Sequence, residues 1–329
     1  MYEKIRWGIL GTGNIAHKFA TGLTVVEDAE LVAVGSRTQE AADKFGDEFG
    51  APHRHASYEA LANDPDVDAI YVSTPHPFHK DNTILCLNAG KAVICEKPFA
   101  LNEREAQEMI DVATAKGVFV MEAMWTRYTP TMVKIRELLA QNVIGEVRMI
   151  QADFGFRTEM NPQGRLFDLA LGGGALLDVG IYPLSFASMI LGEPSKIVSA
   201  VSKAPTGADD QNAVLFQYPA GQIAILSSAS RTNTPHEARI MGTEGSIYVE
   251  PRFWMPQGFT LFVNGQPDQV YHLPFTGNGY NYEAIEVGRC LRSGELESPV
   301  MTHAETLSLM RIMDQIRAEW GLVYPTEQS

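Results

Sequence analysis

Lys97, Asp178 and Tyr182 are polar residues whose positions suit proton transfer or substrate binding. Lys97 follows the apolar run 92–95, which predicts a buried parallel strand, so its cation should lie where open α/β sheets bind ligands. Asp178 and Tyr182 are four residues apart in an apolar segment that predicts a helix, and therefore share one helix face. Two polar side chains on this apolar helix need polar partners. The partner is either a bound substrate or, for each side chain, the other one, through a hydrogen bond that stabilises the core.

A glycine-rich turn follows the first predicted strand, residues 5–10, and reads G-x-G-x-x-A up to Ala16. Its first glycine permits a tight turn, its second lets backbone approach a pyrophosphate, and the alanine allows close helix–strand packing. The helix that follows offers free N–H groups to phosphates. The strand–turn–helix context favours a dinucleotide site over a plain tight turn. The predicted cofactor contacts here are Gly11, Thr12, Gly13, Asn14 and Ile15.

The end of the second predicted strand, residues 31–35, bears on cofactor choice. An NAD site usually has Asp or Glu here for the ribose hydroxyls. This chain has Ser36, Arg37 and Thr38 instead, with no acid before Glu40. Arg37 can pair with a 2′-phosphate, and the two hydroxyls can donate to it. The pattern favours NADP over NAD; the alternative is a solvated arginine at the start of a helix.

The loop after the strand predicted at 69–73 contains two prolines and two histidines. The prolines stiffen the loop, so it can present its backbone to a cofactor. We predict cofactor contacts from Ser73, Thr74, Pro75 and His79, and a substrate contact from His76. The more common role of such histidines is to cap or pack the start of a helix.

The elements that position these residues fall into two groups. Up to about residue 123, strands and helices alternate, which predicts a doubly wound parallel sheet. Strands are expected at 5–10, 31–35, 69–73, 92–95 and 118–121. A helix over 82–89 should end at Gly90, and another should begin at Asn102, with Glu105 as its capping-box partner and Gly117 at its end.

Residues 124–329 predict an α+β domain that binds substrate and forms the dimer. Helices are expected near 132–141 and over 175–191, and period-2 strands without crossovers predict a large, mostly antiparallel open sheet. Those strands are expected at 146–156, 197–203, 213–218, 222–228, 238–241, 246–249 and 260–263. Thr302 and Glu305 should cap a last helix, 302–320, which is a candidate to pack back on the first domain. A sheet with few covering helices predicts a homodimer, which sedimentation would test.

Composition excludes several other classes of protein. The 329 residues suit two domains, and the net charge of −14 argues against a nucleic-acid partner. Three scattered cysteines are too few for a disulfide framework or a zinc site, so no metal ligands are predicted. No signal peptide or membrane span is evident, which makes cytoplasmic the expected location and a membrane partner unexpected.

Four segments, in this order, resemble the glucose-fructose oxidoreductase/inositol dehydrogenase (Gfo/Idh/MocA) family. They are the glycine loop, the Thr-Pro-x-x-x-His stretch from Thr74, the Glu-Lys-Pro element from Glu96, and the Gly-Gly-Gly…Asp-x-Gly segment from Gly172. The resemblance covers essentially the whole chain. It implies NAD(P) in a Rossmann domain and substrate against the open sheet of the second domain. It also implies that Glu96 and Lys97 adjoin the cofactor, that Lys97 is catalytic, and that Asp178 belongs to the substrate site.

One branch of the family is especially similar. Many sugar and inositol dehydrogenases have histidine where this chain has Tyr182, whereas tyrosine resembles dimeric dihydrodiol dehydrogenases, NADP-linked xylose dehydrogenases and glucose-fructose oxidoreductase. The stretches 122–128 and 165–167 are also similar to that branch. On this basis we predict cofactor contacts from Trp125 and Arg127 and a substrate contact from Arg165. Phe156, at the end of the strand predicted at 146–156, is a further predicted substrate contact.

The residue types fit the oxidation of an alcohol, in which nicotinamide takes a hydride and the protein takes a proton. A tyrosine with its ordinary pKa of about 10 is a poor base, and an adjacent ammonium favours the phenolate. We therefore predict Tyr182 as acid/base, Lys97 as its activator, and Asp178 as the group that orients Lys97 or binds a hydroxyl. The reverse assignment, with Lys97 as acid/base, also fits the sequence.

The predicted activity is NADP-dependent hydride transfer involving an aldose or a cyclic vicinal diol, or, in reverse, reduction of a ketose or dicarbonyl. One rival is a cofactor-binding regulator that kept the fold and lost turnover. Another is glycosidic-bond cleavage by oxidation and elimination, known for family members that hold NAD tightly. Arg37 and the missing acidic residue count against that second rival.

Overall fold

The computed structural model describes residues 3–327. The chain forms two compact units, the first comprising Met1–Tyr128 and Thr276–Leu307 and the second Thr129–Phe275 and Ser308–Ser329. The sequence pattern places a boundary near residue 123 and suggests a return to the first domain only for the last helix, 302–320, not for the segment that begins at Thr276. Such a return depends on contacts between residues far apart in the chain, which local periodicity does not report.

The first unit contains a parallel six-stranded sheet. Its strands are Ile5–Leu10 (β1), Ala29–Gly35 (β2), His53–His55 (β3), Ala69–Val72 (β4), Ala92–Glu96 (β5) and Val120–Ala123 (β6). Their order is β3-β2-β1-β4-β5-β6, and each neighbouring pair is parallel. The predicted doubly wound sheet is confirmed, and its topological switch lies between β1 and β4, where such sheets bind ligands.

The second unit contains a mixed eight-stranded sheet. Its strands are Val147–Gly155 (β7), Lys196–Lys203 (β8), Asp209–Gln217 (β9), Ile223–Ala229 (β10), Ala238–Gly242 (β11), Gly245–Val249 (β12), Gly258–Val263 (β13) and Gln269–His272 (β14). The order is β14-β13-β12-β11-β7-β10-β9-β8. Among these strands β7 and β10 are parallel and the other pairs are antiparallel. The predicted mostly antiparallel sheet is confirmed, with β14 as a strand that the sequence did not predict.

Nine α-helices of the described residues 3–327 cover or connect these sheets. They are Asn14–Leu23 (α1), Gln39–Phe49 (α2), Tyr58–Ala62 (α3), His79–Asn88 (α4), Glu103–Lys116 (α5), Pro130–Ala140 (α6), Ile181–Leu191 (α7), Asn281–Ser293 (α8) and His303–Trp320 (α9). The predicted caps hold: Asn102 accepts from the Glu105 amide and Thr302 from the Glu305 amide. Helix α8 was not predicted.

Several predicted elements begin or end a few residues from their observed bounds, and two of these differences have a clear structural cause. The strand expected at 118–121 begins at Val120, because the Val118 amide instead donates to the Ala113 carbonyl at the end of α5. The helix expected over 175–191 consists of a π-helical turn, Leu176–Gly180, followed by α7. Periodicity does not distinguish a π turn from an α turn, and π turns are often found at functional sites.

Segment Leu169–Leu191 is long and apolar enough to cross a membrane, with a mean hydropathy of 1.5. However, 83% of its most apolar window is buried inside the protein. The second sheet contacts it, since β7 and β10 both pack against α7 and the π turn. The core helix of a soluble protein has the same properties.

Candidate active site

The turn after β1 has the conformation and space that a dinucleotide requires. Gly11 has φ +103°, and a Cβ there would lie 3.0 Å from the Ser73 Oγ, so glycine suits both the backbone and the space. A Cβ on Gly13, immediately before α1, would meet no atom within 4 Å. The backbone is therefore open to a ligand at the N-terminal end of α1, where free N–H groups favour an anion.

The end of β2 combines two hydroxyls with an exposed guanidinium. The Ser36 Oγ lies 3.4 Å from the Thr12 Oγ1, so the β1 and β2 turns meet there. Thr38 caps α2 by accepting from the Ala41 amide, which leaves its hydroxyl proton for another acceptor. Arg37 is exposed and has no carboxylate partner among residues 3–327. These groups fit a phosphate better than a ribose diol.

His79 connects the loops after β4 and β5. Its ring is fully buried, with Nε2 2.7 Å from the Thr74 carbonyl and Nδ1 2.8 Å from the Pro98 carbonyl. Burial lowers the pKa of His79, with a smaller contribution from the Lys97 cation, so the ring is neutral at physiological pH. A neutral ring donates to one carbonyl at a time. His79 therefore positions the loops around Lys97, whereas His76 is partly exposed in the short turn His76–Phe78.

Glu96 anchors the segment that carries Lys97. Its carboxylate accepts from the Tyr71 hydroxyl and, at 3.1 Å, from the Lys97 amide. Burial raises the pKa of Glu96, an effect that the Lys97 cation opposes. Behind it lies the fully buried Glu283 of α8, whose pKa is raised well above its ordinary value by burial and by the Glu96 charge. Lys97 itself is partly exposed and its peptide bond to Pro98 is cis.

Trp125 and Arg127 lie in a buried turn, Trp125–Tyr128. The Trp125 ring stacks on Tyr280 with centroids 4.7 Å apart. Arg127 pairs with Glu305 and donates to the Val300 carbonyl at 3.3 Å. These contacts bind the turn to the returning segment Thr276–Leu307, and they give both residues a structural role. Their predicted contact with a cofactor stays a prediction.

In the second unit, a glycine turn leads into the segment that carries Asp178 and Tyr182. Gly174 has φ +141°, and a Cβ there would lie 2.2 Å from the Asp209 Oδ1. The other Asp209 oxygen accepts from the Leu176 amide at 2.8 Å and from the Asn212 side chain at 2.9 Å. Burial raises the pKa of Asp209 to about 6. This carboxyl therefore fixes the start of the π turn.

Asp178 forms an ion pair with Arg165. Its Oδ1 lies 2.7 Å from Arg165 Nη1; the Arg165 side chain is 58% exposed and that of Asp178 only 10%. The structure thus brings together two residues that were predicted separately as substrate contacts. Arg165 already contacts one oxygen of the Asp178 carboxylate. A substrate hydroxyl that bound this carboxylate would therefore lie beside the Arg165 guanidinium.

Tyr182 borders a cluster of aromatic rings. Its ring centroid lies 5.5 Å from that of Phe154, which stacks on Trp254 at 3.4 Å. Phe156 lies two residues further along the chain, 6.4 Å from Phe154, and His236 packs edge-on against Trp254. The cluster thus brings the Phe154, Phe156, His236 and Trp254 rings together beside the Tyr182 ring.

Comparison with known proteins identifies the family. Residues 5–124 match an oxidoreductase family with an NAD-binding Rossmann fold, and residues 132–248 match the GFO/IDH/MocA C-terminal domain. The chain belongs to the Gfo/Idh/MocA family. The resemblance found in the sequence is therefore confirmed, as is the class of NAD(P)-dependent oxidoreductase.

Among Gfo/Idh/MocA relatives, the chain is 40% identical over 336 residues to a mouse trans-1,2-dihydrobenzene-1,2-diol dehydrogenase, covering 98% of this chain and 99% of the relative. Two solved structures are similar along nearly the whole chain. An aldose-aldose oxidoreductase from Caulobacter crescentus is 26% identical, with a TM-score of 0.88 and coverage of 98% and 99%. A 3-ketoreductase from Actinomadura kijaniata, in complex with NADP and TDP-benzene, is 25% identical, with a TM-score of 0.85 and coverage of 96% and 97%.

Several residues of this Gfo/Idh/MocA site were not found from the sequence. Phe154 lies two residues before Phe156, on the same face of the strand predicted at 146–156, so the period-2 pattern could have indicated it. Trp254 and His236 lie in loops without a local pattern, and their proximity to Phe154 depends on the tertiary fold. Glu283 is in the unpredicted helix α8 and likewise had no sequence signal.

Proposed function

We propose that the protein is an NADP-dependent dehydrogenase of cyclic vicinal diols, with aldoses as its next substrate class. The observation that carries this proposal is the aromatic cluster around Tyr182, in which Phe154 stacks on Trp254 and lies beside the Tyr182 ring. Flat apolar walls favour a ring-shaped substrate, and Tyr182 and Asp178 supply polar groups for adjacent hydroxyls. The similarity to a dihydrodiol dehydrogenase supports the same class.

The cofactor proposal rests on the end of β2. Arg37 is exposed and Ser36 lies beside the glycine loop, which suits a 2′-phosphate, while no carboxylate precedes Glu40. A guanidinium binds a phosphate through charge-assisted hydrogen bonds, often two at once. We therefore favour NADP, and the solved NADP complex of the 3-ketoreductase is in keeping with this choice.

The glycine loop and Arg37 would hold the cofactor, which would supply nicotinamide C4 as the hydride acceptor for the carbinol carbon. We assign the hydroxyl proton to Tyr182, whose phenolate is the base. We assign Lys97 the role of favouring that phenolate and of donating to the substrate oxygen, because an ammonium stabilises a phenolate. Glu96 holds the Lys97 backbone, and His79 donates to the Thr74 or the Pro98 carbonyl, so both act by positioning.

A substrate panel with both cofactors tests the function. Purified protein with NADP should oxidise a trans-dihydrodiol faster than any aldose, with NADPH absorbance as the readout. Purified protein that carries bound NAD and releases a glycoside's leaving group would instead favour the glycosidase-type alternative. Tight NADP binding without turnover on diols, aldoses or dicarbonyls would favour the regulator.

Arg37→Ala tests the cofactor assignment within the same panel. It should raise the KM for NADP about 10- to 100-fold, since one charge-assisted contact contributes roughly 1.5–3 kcal/mol, and should leave the KM for NAD nearly unchanged. Arg104→Ala removes another exposed arginine and is the matched control. Equal KM values for NADP in the wild type and Arg37→Ala would contradict the assignment.

We further propose a homodimer through the second sheet. Val198, Leu215 and Ile225 lie side by side on β8, β9 and β10 and are 50%, 38% and 42% exposed. An apolar patch on an open sheet favours a two-fold interface.

Sedimentation should give a dimer for the wild type and a monomer for Leu215→Asp. The control Val323→Asp changes an exposed valine elsewhere and should stay dimeric, and a monomeric wild type would refute the proposal.

A further inference from the structure

A second polar cluster lies on the edge strand β3 of the first unit. His53 and His55 are two residues apart on this strand and therefore point to the same face. Asp64, in the turn after α3, directs its carboxylate between them. Its Oδ2 lies 2.7 Å from His53 Nδ1 and 2.8 Å from His55 Nε2.

The three side chains are arranged like a set of metal ligands. The three potential ligand atoms lie within 4.8 Å of one another. Two imidazole nitrogens and one carboxylate oxygen suit Zn²⁺, which takes a water as fourth ligand in such sites. A tetrahedral ion with bonds of about 2 Å holds its ligand atoms about 3.3 Å apart. The two imidazoles would therefore move away from Asp64 by roughly half an ångström.

The surroundings fix the ligands and leave a path for an ion. The Asp64 side chain is 3% exposed; its Oδ1 accepts from the Asp66 amide at 2.9 Å, and its backbone carbonyl accepts from Lys91 Nζ at 2.6 Å. The histidine side chains are 37% and 23% exposed, so the nitrogens can be reached from solvent. The far nitrogen of His53 lies 3.9 Å from an Asp66 oxygen. A metal-ligating histidine commonly donates its other N–H to such a carboxylate.

We propose that His53, His55 and Asp64 bind one divalent transition-metal ion of the zinc type. The nitrogen ligands select against Ca²⁺ and Mg²⁺, which prefer all-oxygen sets. The ion would join β3 to the turn after α3, with one coordination position left to water. The sequence predicted no metal site because Asp64 lies nine residues beyond His55, too far for a local ligand motif. The proposal is independent of the oxidoreductase activity.

Titration of chelator-treated protein with Zn²⁺ tests this site. Calorimetry should show one ion bound per chain in the wild type, with an affinity at least about 10-fold lower in the double variant His53→Gln/His55→Gln. His272→Gln, which changes an exposed histidine on β14, is the matched control and should bind like the wild type. Co²⁺ should give the visible absorption of a four-coordinate ion in the wild type and lose it in the double variant.

Either of two outcomes overturns the proposal: no Zn²⁺ uptake by the wild type, or equal affinity and stoichiometry in the wild type and the double variant. In the second case the three side chains form only a hydrogen-bonded cluster. Thermal unfolding without metal checks that the double variant folds, and Zn²⁺ should raise the Tm of the wild type alone. If the double variant does not fold, the single variant His53→Gln replaces it, because that side chain is the more exposed of the two.

Discussion

Replacing Tyr182 by phenylalanine should lower kcat for diol oxidation by about 10²- to 10⁴-fold, the usual contribution of a general acid or base. The substitution removes only the hydroxyl. The ring remains beside Phe154, so the aromatic cluster should keep its packing and the KM for NADP should change little. Steady-state kinetics on the best substrate of the panel provides the measurement.

One control and one further variant decide whether Tyr182 or Lys97 accepts the substrate proton. Tyr271→Phe removes a tyrosine hydroxyl whose partner is Gln269 on the same edge strand, and it should leave kcat unchanged. Lys97→Met should also lower kcat, but here the residual activity should shift to higher pH because the ammonium no longer favours the phenolate. If Tyr182→Phe keeps near-full turnover while Lys97→Met loses it, Lys97 is the acid/base.

The sequence predicted those parts of the protein that local patterns control. The glycine turn, the strand before Lys97 and the cap at Asn102 all depend on residues within a few positions of one another. The alternation after residue 146 predicted the second sheet for the same reason. Each of these elements is stabilised by neighbours in the chain, so their residue types carry the information.

The parts that were missed depend on distant contacts. Arg127 and Glu305 are 178 residues apart, and their ion pair reflects the return of the chain to the first unit. The resemblance suggested a cofactor contact for Arg127, which stays a prediction, but nothing in the sequence indicated its ion pair with the partly exposed Glu305. Trp254 similarly joins Phe154 from a loop 100 residues away. The spacing of residues along the sequence gives no information about pairs that are so far apart in the chain.

Glu122 is a second position where one substitution should have a large effect. Its side chain is buried at the end of β6 and accepts from the Phe99 amide at 3.2 Å and the Thr306 hydroxyl at 3.1 Å. Burial raises the pKa of Glu122 from 4.5 to about 7, although these hydrogen bonds and the Arg127 charge oppose the rise. Between these two pKa values, Glu122 is mostly protonated in the folded protein and mostly ionised in the unfolded chain.

The sign of the pH dependence follows from this difference. Between pH 4.5 and about 7 the folded protein binds more protons at this site than the unfolded chain, so the contribution of Glu122 to stability falls as the pH rises. The total loss of stability across this range is about 3 kcal/mol, because each pKa unit between 4.5 and about 7 corresponds to 1.36 kcal/mol. Groups whose pKa is lowered, such as Glu286, act in the opposite direction, so a variant is needed to isolate Glu122.

Glu122→Gln should be more stable than the wild type at pH 8 by up to about 3 kcal/mol, and no more stable at pH 4.5. The amide mimics the protonated acid, since its oxygen can accept from Phe99 and its nitrogen can donate to the Thr306 hydroxyl oxygen. Urea unfolding at both pH values provides the measurement, and Glu159→Gln, at an exposed position, is the control. A uniform loss of stability at both pH values would show that Glu122 is ionised in the folded protein and that its charge is needed.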